Sequence, residues 1–247
     1  MDIILNGALG QMGRELQSRI KNGGGHRLAA LVDPAERGGE YYAALGDFRG
    51  NADMIIDFSH PSGTKELLAY AVKENLPVVL ATTGHTPEEL AAIKAAAEKI
   101  AVFHSVNMSV GVALLAELAV KAAAVFPEAD IEIVETHHSG KQDAPSGTAL
   151  LLANELKAAR PDAAYIFGRA GSGRRQKNEI GIHAVRRGSV AGTHEVFISS
   201  GSQTITLRHE AHTRALYAEG ALSAACFLLG KPAGLYGMND MIKGKCT

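Results

Sequence analysis

Five short apolar runs in the first hundred residues, at 2–6, 28–32, 54–58, 78–81 and 101–104, show no clean alternation of polar and apolar side chains. A strand covered on one face alternates and a strand covered on both does not, so these runs predict a parallel sheet with helices on each side. Helical patterns separate them. The best marked follows Thr86, where Thr86, Pro87, Glu88 and Glu89 supply a capping box with proline at the first helical position. Strand and helix in alternation specify an α/β fold with a Rossmann-like, doubly wound parallel sheet.

Directly after the first run comes Gly7-Ala8-Leu9-Gly10-Gln11-Met12-Gly13, which opens a helical pattern holding Leu16 and Ile20. Glycines at such a turn let the backbone reverse tightly and approach a pyrophosphate, and the last one lets the helix pack close to the strand. The spacing is GxxGxxG, with Ala8 standing where the GxGxxG pattern has its first glycine. Asp33 ends the second run, where an acid takes the ribose hydroxyls of a dinucleotide and repels a 2′-phosphate. NADH is therefore the favoured cofactor, and Arg37 lies near enough in sequence to leave NADPH open. Ala81-Thr82-Thr83-Gly84 and Ser105-Val106-Asn107-Met108 end the fourth and fifth runs, where open α/β sheets hold ligands; each also suits a plain turn.

Past a helix over 109–125 the style changes. Residues 131–138, IEIVETHH, are rich in β-branched side chains and read as a strand that sets His137 and His138 on opposite faces. A glycine- and arginine-rich stretch at 168–178 precedes runs at 183–187, 195–199 and 204–209, which alternate and sit close together as antiparallel strands do. They predict a second, α+β domain with a mixed or antiparallel sheet. Arg174, Arg175 and Lys177 read as a solvated basic loop. An apolar helix over 216–229 is expected to return to the first domain, which divides the chain into a discontinuous domain, 1–108 with 216–247, and a second at 109–215.

The densest chemistry lies in residues 135–148, ETHHSGKQDAPSGT. Pro145, Ser146, Gly147 and Thr148 start a helix carrying Leu150, Leu151, Leu152 and Leu156. The first turn of a helix offers unpaired N–H groups and a partial positive charge to an anion, and Gly147 adds no side chain in the way. Imidazole titrates near neutral pH, and Lys141 places a cation beside that helix start. Together they read as a site for an acidic substrate that accepts a proton. The fingerprint by itself also fits another Rossmann oxidoreductase acting on a small acidic substrate, or a non-catalytic NAD(H)-sensing protein. No metal is expected, since His209 and His212 with the His137 pair make no recognisable ligand set.

A chain of 247 residues with 46% hydrophobic residues can bury a core, and a net charge of −1 gives no global field for nucleic acid or an anionic membrane. Cys226 and Cys246 are far apart in sequence, which suits a reducing compartment. With an N-terminus that enters an apolar strand at once and no run long enough to span a bilayer, the expected location is the cytoplasm.

The chain resembles the 4-hydroxy-tetrahydrodipicolinate (dihydrodipicolinate) reductases of the bacterial and plant lysine and diaminopimelate pathway. The resemblance is carried by GALGQMG at 7–13, IIDFSHP at 55–61, ATTG at 81–84, NMSVGV at 107–112 and ETHHSGKQDAPSGTA at 135–149. It implies NAD(P)H-dependent reduction of 4-hydroxy-tetrahydrodipicolinate, a small cyclic dicarboxylate, by a homotetramer assembled through its central substrate-binding domains. His137 would give or take the proton, Lys141 would be a second donor, His138 a substrate contact, and Gly147 and Thr148 the carboxylate-binding backbone. Gly7, Ala8, Leu9, Gly10, Gln11, Met12, Asp33, Ala81, Thr82, Thr83, Ser105, Val106, Asn107 and Met108 would line the cofactor. Two features depart from the family pattern. Ser139-Gly140 stands where more basic residues are common, and Pro34 follows the acid where members using both cofactors often have arginine. With the two motifs on different domains, a hinge is expected, with Arg214 a candidate closure residue.

Overall fold

The structure is a computed structural model that describes residues 1–35 and 40–245; Arg37 and Cys246 lie outside the described residues. In chain order the strands and α-helices are β1 (Asp2–Asn6), α1 (Gln11–Gly23), β2 (Arg27–Val32), β3 (Tyr41–Tyr42), β4 (Met54–Asp57), α2 (Thr64–Glu74), β5 (Val78–Leu80), α3 (Pro87–Ala97), β6 (Ala101–His104), α4 (Val110–Val125), β7 (Asp130–His137), α5 (Gly147–Ala159), β8 (Ala164–Phe167), β9 (Glu179–Arg186), β10 (Gly192–Ser200), β11 (Gln203–Ala211), α6 (Ala215–Leu228), β12 (Gly234–Tyr236) and α7 (Met238–Lys245). They form two compact units, Met1–Ser109 with Ala215–Thr247, and Val110–Arg214.

The first unit holds a seven-stranded parallel sheet in the order β12-β6-β5-β4-β1-β2-β3. Its central strands are apolar throughout because both faces are covered. Ile4, Ile55, Val78, Leu80 and Val102 join a core with Leu67 and Leu68 of α2 and Ile93 of α3, while Ile3, Leu5, Met54, Ile56, Val79 and Phe103 are equally sequestered. Helices α1 and α6 pack together, and α6 lies against β4, β5 and β6. The capping box at the start of α3 is present, with Thr86 N–H donating to Glu89 Oε2 at 2.7 Å and Glu89 N–H to Thr86 Oγ1 at 3.3 Å.

The order of the sheet reverses between β1 and β4, so the loops leaving these neighbours diverge and open a crevice at their carboxyl ends. One residue there tolerates no substitute. Gly7 has φ +80°, and a Cβ on it would lie 2.6 Å from the Phe58 carbonyl carbon. Gly7 therefore makes the sharp turn one position before the place where the commoner fingerprint has its first glycine, which explains why a buried alanine is accommodated at Ala8.

The second unit is a five-stranded mixed sheet, β11-β10-β7-β9-β8. Leu115, Ala116 and Ala119 of α4 and Ala149, Leu152 and Leu156 of α5 cover one face through Ile131, Ile133, Ile180, Ile182, Val196 and Ile198. Strands β10 and β11 form the expected antiparallel hairpin. The run beginning at His183 does not join them. It belongs to β9, which pairs in parallel with β7 and with β8, and β7 lies between it and β10. Closeness in sequence suggested neighbouring antiparallel strands, but β7 separates β9 from β10 in the sheet. The expectation of a solvated basic loop also fails for Arg175. Its guanidinium reaches Asp130 Oδ1 at 2.7 Å, Glu132 Oε1 at 3.1 Å and the carbonyls of Ile131 and Glu179, fastening the loop to β7 and β9. Lys177 is exposed and pairs with Glu128. No helix among the described residues is long and apolar enough to cross a membrane.

The packing of α6 gives a test. A Cβ on Gly220 would fall 1.7 Å from the Met108 carbonyl oxygen, whereas one on the exposed Gly46 meets nothing within 4 Å. Gly220→Ala should cost about 3 kcal/mol in urea unfolding, by forcing backbone apart, and Gly46→Ala should stay within about 0.5 kcal/mol of wild type. Equal stabilities would contradict the contact.

Candidate active site

At the carboxyl end of the parallel sheet, one buried carboxylate ties three loops together. Asp57, 1% exposed, accepts from Asn6 Nδ2 at 2.8 Å, Ser59 Oγ at 2.6 Å and Thr82 Oγ1 at 2.6 Å. Thr82 thus spends its hydroxyl inside the protein, while Ala81 is half-buried and Thr83 is exposed beside it. Around the glycine turn, Gly7 and Ala8 are buried, Leu9 and Met12 are half-buried, and Gly10 and Gln11 are exposed. Gly10 is the N-cap of α1 and brings no side-chain cap of its own, so the turn presents backbone to a ligand.

Asp33 Oδ2 accepts from Leu9 N–H at 3.0 Å and Oδ1 from Ala35 N–H at 3.1 Å. An ionised carboxylate has about four acceptor sites, so each oxygen keeps one for a ribose hydroxyl. Beside it is a pocket of about 220 Å³ lined by residues including Asn6, Val32, Pro34, Ser59 and His60. Turn, acid and pocket fit a dinucleotide. Of the other predicted cofactor positions, Ser105 Oγ bridges the Asn107 carbonyl and N–H, Asn107 Oδ1 accepts from Ser109 N–H at 2.8 Å, Val106 is exposed and Met108 is buried. Asn107 thus serves as the turn residue at the α4 start, and the Met108 carbonyl packs against Gly220 of α6.

The second unit carries the predicted histidine and lysine positions. His137 ends β7 with its side chain 11% exposed. His138 lies just beyond the strand, half-buried. Lys141 Nζ pairs with Asp143 Oδ1 at 2.8 Å, which holds the Asp143 carboxyl below its ordinary range. Helix α5 begins where the sequence placed it. Ser146 is its N-cap and accepts from Ala149 N–H at 3.2 Å. Gly147 is exposed, with open space where a Cβ would point, and Thr148 is half-buried next to it.

Beneath these residues lies Glu135, with no solvent exposure. Its Oε2 is 2.6 Å from His137 Nδ1 and accepts from Arg186 Nη1 at 2.8 Å; its Oε1 accepts from Arg186 Nη2 at 2.7 Å and from Ser146 N–H at 3.0 Å. Burial alone would raise this carboxyl, but the hydrogen bonds from Arg186, His137 and Ser146 overcome it and hold the group below its usual value. His194 sits on the other flank, its Nε2 2.9 Å from Ser146 Oγ and its ring edge-on to His137 at 5.2 Å.

Sequence reasoning missed Glu135, Arg186, Ser146 as a donor, and His194. A signal for Glu135 was present, because it continues the buried face of Ile131 and Ile133 at period two, and a charge on such a face demands partners. Arg186 and His194 carried none, since they reach Glu135 only through the pairing of β7 with β9 and β10. Among the described residues no group of three or more His, Cys, Asp or Glu could hold a metal ion.

Two family profiles match the chain: "Dihydrodipicolinate reductase, N-terminus" over residues 1–108 and "Dihydrodipicolinate reductase, C-terminus" over residues 111–242. A 4-hydroxy-tetrahydrodipicolinate reductase of Clostridium novyi (strain NT) is 42% identical, with 98% of each chain covered. One of Clostridium tetani (strain Massachusetts / E88) is 40% identical over 97% of this chain and 96% of its own. Among solved structures, a dipicolinate-bound dihydrodipicolinate reductase from Paenisporosarcina sp. TG-14 superposes with a TM-score of 0.79 at 25% identity, covering 97% of this chain and 98% of that one.

Burial of the cluster sets a pH dependence of stability. His194 is pushed down to about 3, chiefly by burial and then by the neighbouring His137. The folded state keeps it neutral where the unfolded chain protonates it, so stability falls as pH drops from about 6.5 towards 3, by up to about 5 kcal/mol. Glu135 acts in the same direction at lower pH, because a depressed carboxyl stabilises above its unfolded value and that contribution is lost as pH falls through the folded one. Urea midpoints should decline between pH 7 and pH 4, and His194→Gln should flatten the decline. Parallel slopes in the two proteins would refute this.

Proposed function

Because the chain belongs to the dihydrodipicolinate reductase family, we propose that the β7–α5 segment is the substrate half of its active site and the glycine turn after β1 the cofactor half. The enzyme is a nicotinamide-dinucleotide-dependent oxidoreductase that performs the reduction step from 4-hydroxy-tetrahydrodipicolinate to tetrahydrodipicolinate in lysine and diaminopimelate biosynthesis. Its substrate is a small dicarboxylate, and the conversion takes up a hydride and a proton and releases water. The bound dinucleotide supplies the hydride.

The observation that carries the residue assignment is the seat of His137, an imidazole tied through Nδ1 to a buried carboxylate in the same short segment as Lys141 and the α5 N-terminus. His137 supplies or relays the proton, and Lys141 is the second donor. The backbone of Gly147 and Thr148 at the positive end of α5 holds one carboxylate, and His138 is a further substrate contact. With Ser139-Gly140 adding no cation, Lys141 and the helix start carry more of the anion binding here than in relatives with a basic loop. At the cofactor end, residues Gly7 to Met12 take the pyrophosphate, and Ala81 to Thr83 with Ser105 to Met108 line the rest. Asp33, followed by Pro34, favours NADH over NADPH, since its carboxylate repels a 2′-phosphate. The chain crosses between its two units after Ser109 and after Arg214. The face of β10 and β11 turned away from α4 and α5, with Glu195, Thr206 and Arg208, is the surface proposed to assemble the second units into a homotetramer, which light scattering would check.

The test couples purified enzyme to a synthase that makes the unstable substrate and follows NADH absorbance; no substrate-dependent oxidation would end this reading. His137→Ala and Lys141→Ala should each lower kcat about 100-fold or more with NADH binding retained, and wild-type turnover in either would remove that residue from its role. Asp33→Ala should shift the NADH/NADPH ratio of kcat/KM towards NADPH. An unchanged ratio would discharge Asp33.

A further inference from the structure

We infer that Glu135, Arg186 and Gly192 are positioning residues that hold His137 with a proton fixed on Nδ1, leaving Nε2 as the atom that exchanges protons with substrate. The inference rests on His137 being the proton-handling residue and adds which ring nitrogen works and what decides it.

The argument is a count of donors and acceptors. An ionised carboxylate only accepts, at about four sites. Three around Glu135 are filled by unambiguous donors, Arg186 Nη1, Arg186 Nη2 and Ser146 N–H. The fourth faces His137 Nδ1 at 2.6 Å, so either the imidazole donates or the carboxyl is protonated there and donates instead. The two-pronged guanidinium settles the choice, because a positive charge bound to both oxygens stabilises the carboxylate and not the acid. Nδ1 therefore carries hydrogen in both the neutral and the charged ring, and the exchangeable proton belongs to Nε2. Arg186 is itself held by the Asp143 carbonyl at 2.6 Å, which links this seat to the loop carrying Lys141.

Gly192 supplies the clearance. A Cβ there would lie 3.0 Å from His137 Nε2 and 3.4 Å from Cδ2, and the backbone of Gly192 has no positive φ that would require glycine for its own sake. The absent side chain is thus explained by the imidazole and not by the strand. His194 borders the ring edge-on, and with its own affinity for protons pushed down to about 3 by burial it stays neutral and does not compete as a cation.

The direct test is solid-state NMR of enzyme labelled with 15N-histidine, with the His137 signals assigned by their loss in His137→Asn. The neutral ring should show the Nδ1–H tautomer; an Nε2–H tautomer would overturn the inference. Glu135→Gln provides the second arm. Two donors, Arg186 Nη2 and Ser146 N–H, face the Oε1 position against one, Arg186 Nη1, at Oε2, so the amide oxygen settles at Oε1 and the NH₂, giving up the Nη1 contact, faces Nδ1 and drives the proton to Nε2. The variant should show the opposite tautomer and a kcat lowered about 100-fold, with NADH KM unchanged; a wild-type tautomer and turnover would sink the idea. Gly192→Ala should lower kcat about tenfold by displacing the ring, with NADH KM again unchanged, and a wild-type kcat would remove Gly192 from the role. Should Glu135→Gln fail to fold, the wild-type spectrum and Gly192→Ala still decide. A fully active His137→Ala would instead refute the proposed function of His137, whereas an inactive His137→Ala with an Nε2–H wild type refutes only the positioning.

Discussion

The Glu135 carboxylate is the constraint around which the second unit is arranged. An ion removed wholly from water costs several kcal/mol unless its lone pairs are met, and meeting them draws on three elements at once. Arg186 comes from β9, the Ser146 N–H from the start of α5, and the imidazole from the end of β7 itself. None of these can shift alone without stranding a buried charge. The parallel pairing that sets His137 opposite Arg186 is therefore coupled to the placement of α5, and the intervening loop, with Lys141, is held at both ends.

The first unit solves a related problem in the same way. Asp57 at the end of β4 gathers Asn6, Ser59 and Thr82 from the ends of β1, β4 and β5, fastening the loops on either side of the point where the sheet order reverses. Steric exclusion completes the work, since a Cβ on Gly13 would come within 2.2 Å of the Gly7 carbonyl oxygen. In both units a buried carboxylate near the carboxyl end of a strand braces loops whose other surface is available to a ligand. Binding loops need such bracing because a misplaced reacting group loses much of the advantage of proximity.

Much of the fold was legible because it depends on short-range patterns. Uninterrupted apolar runs announced strands covered on both faces, and Thr86 with Glu89 announced the start of α3. The glycine turn and the α5 start were equally local, each contained within one stretch of chain. Where pairing spans long separations, the reading failed. Strand β9 was expected beside β10 because the two follow each other, yet the sheet inserts β7 between them. Arg175 looked like a solvated loop residue because its partners, Asp130 and Glu132, lie more than forty residues away.

The same division runs through the site. Sequence by itself determined that His137, His138, Lys141 and the first turn of α5 share one segment, and that the glycine turn and Asp33 share another, because motifs of this kind are set by spacing along the chain. Only the tertiary structure decided which nitrogen of His137 is tied down, that Glu135 is its partner, and that Gly192 leaves room beside it. Those facts follow from strand register and from the demand that every buried polar group find a partner, and the partners here are brought from separate strands by the closing of the sheet.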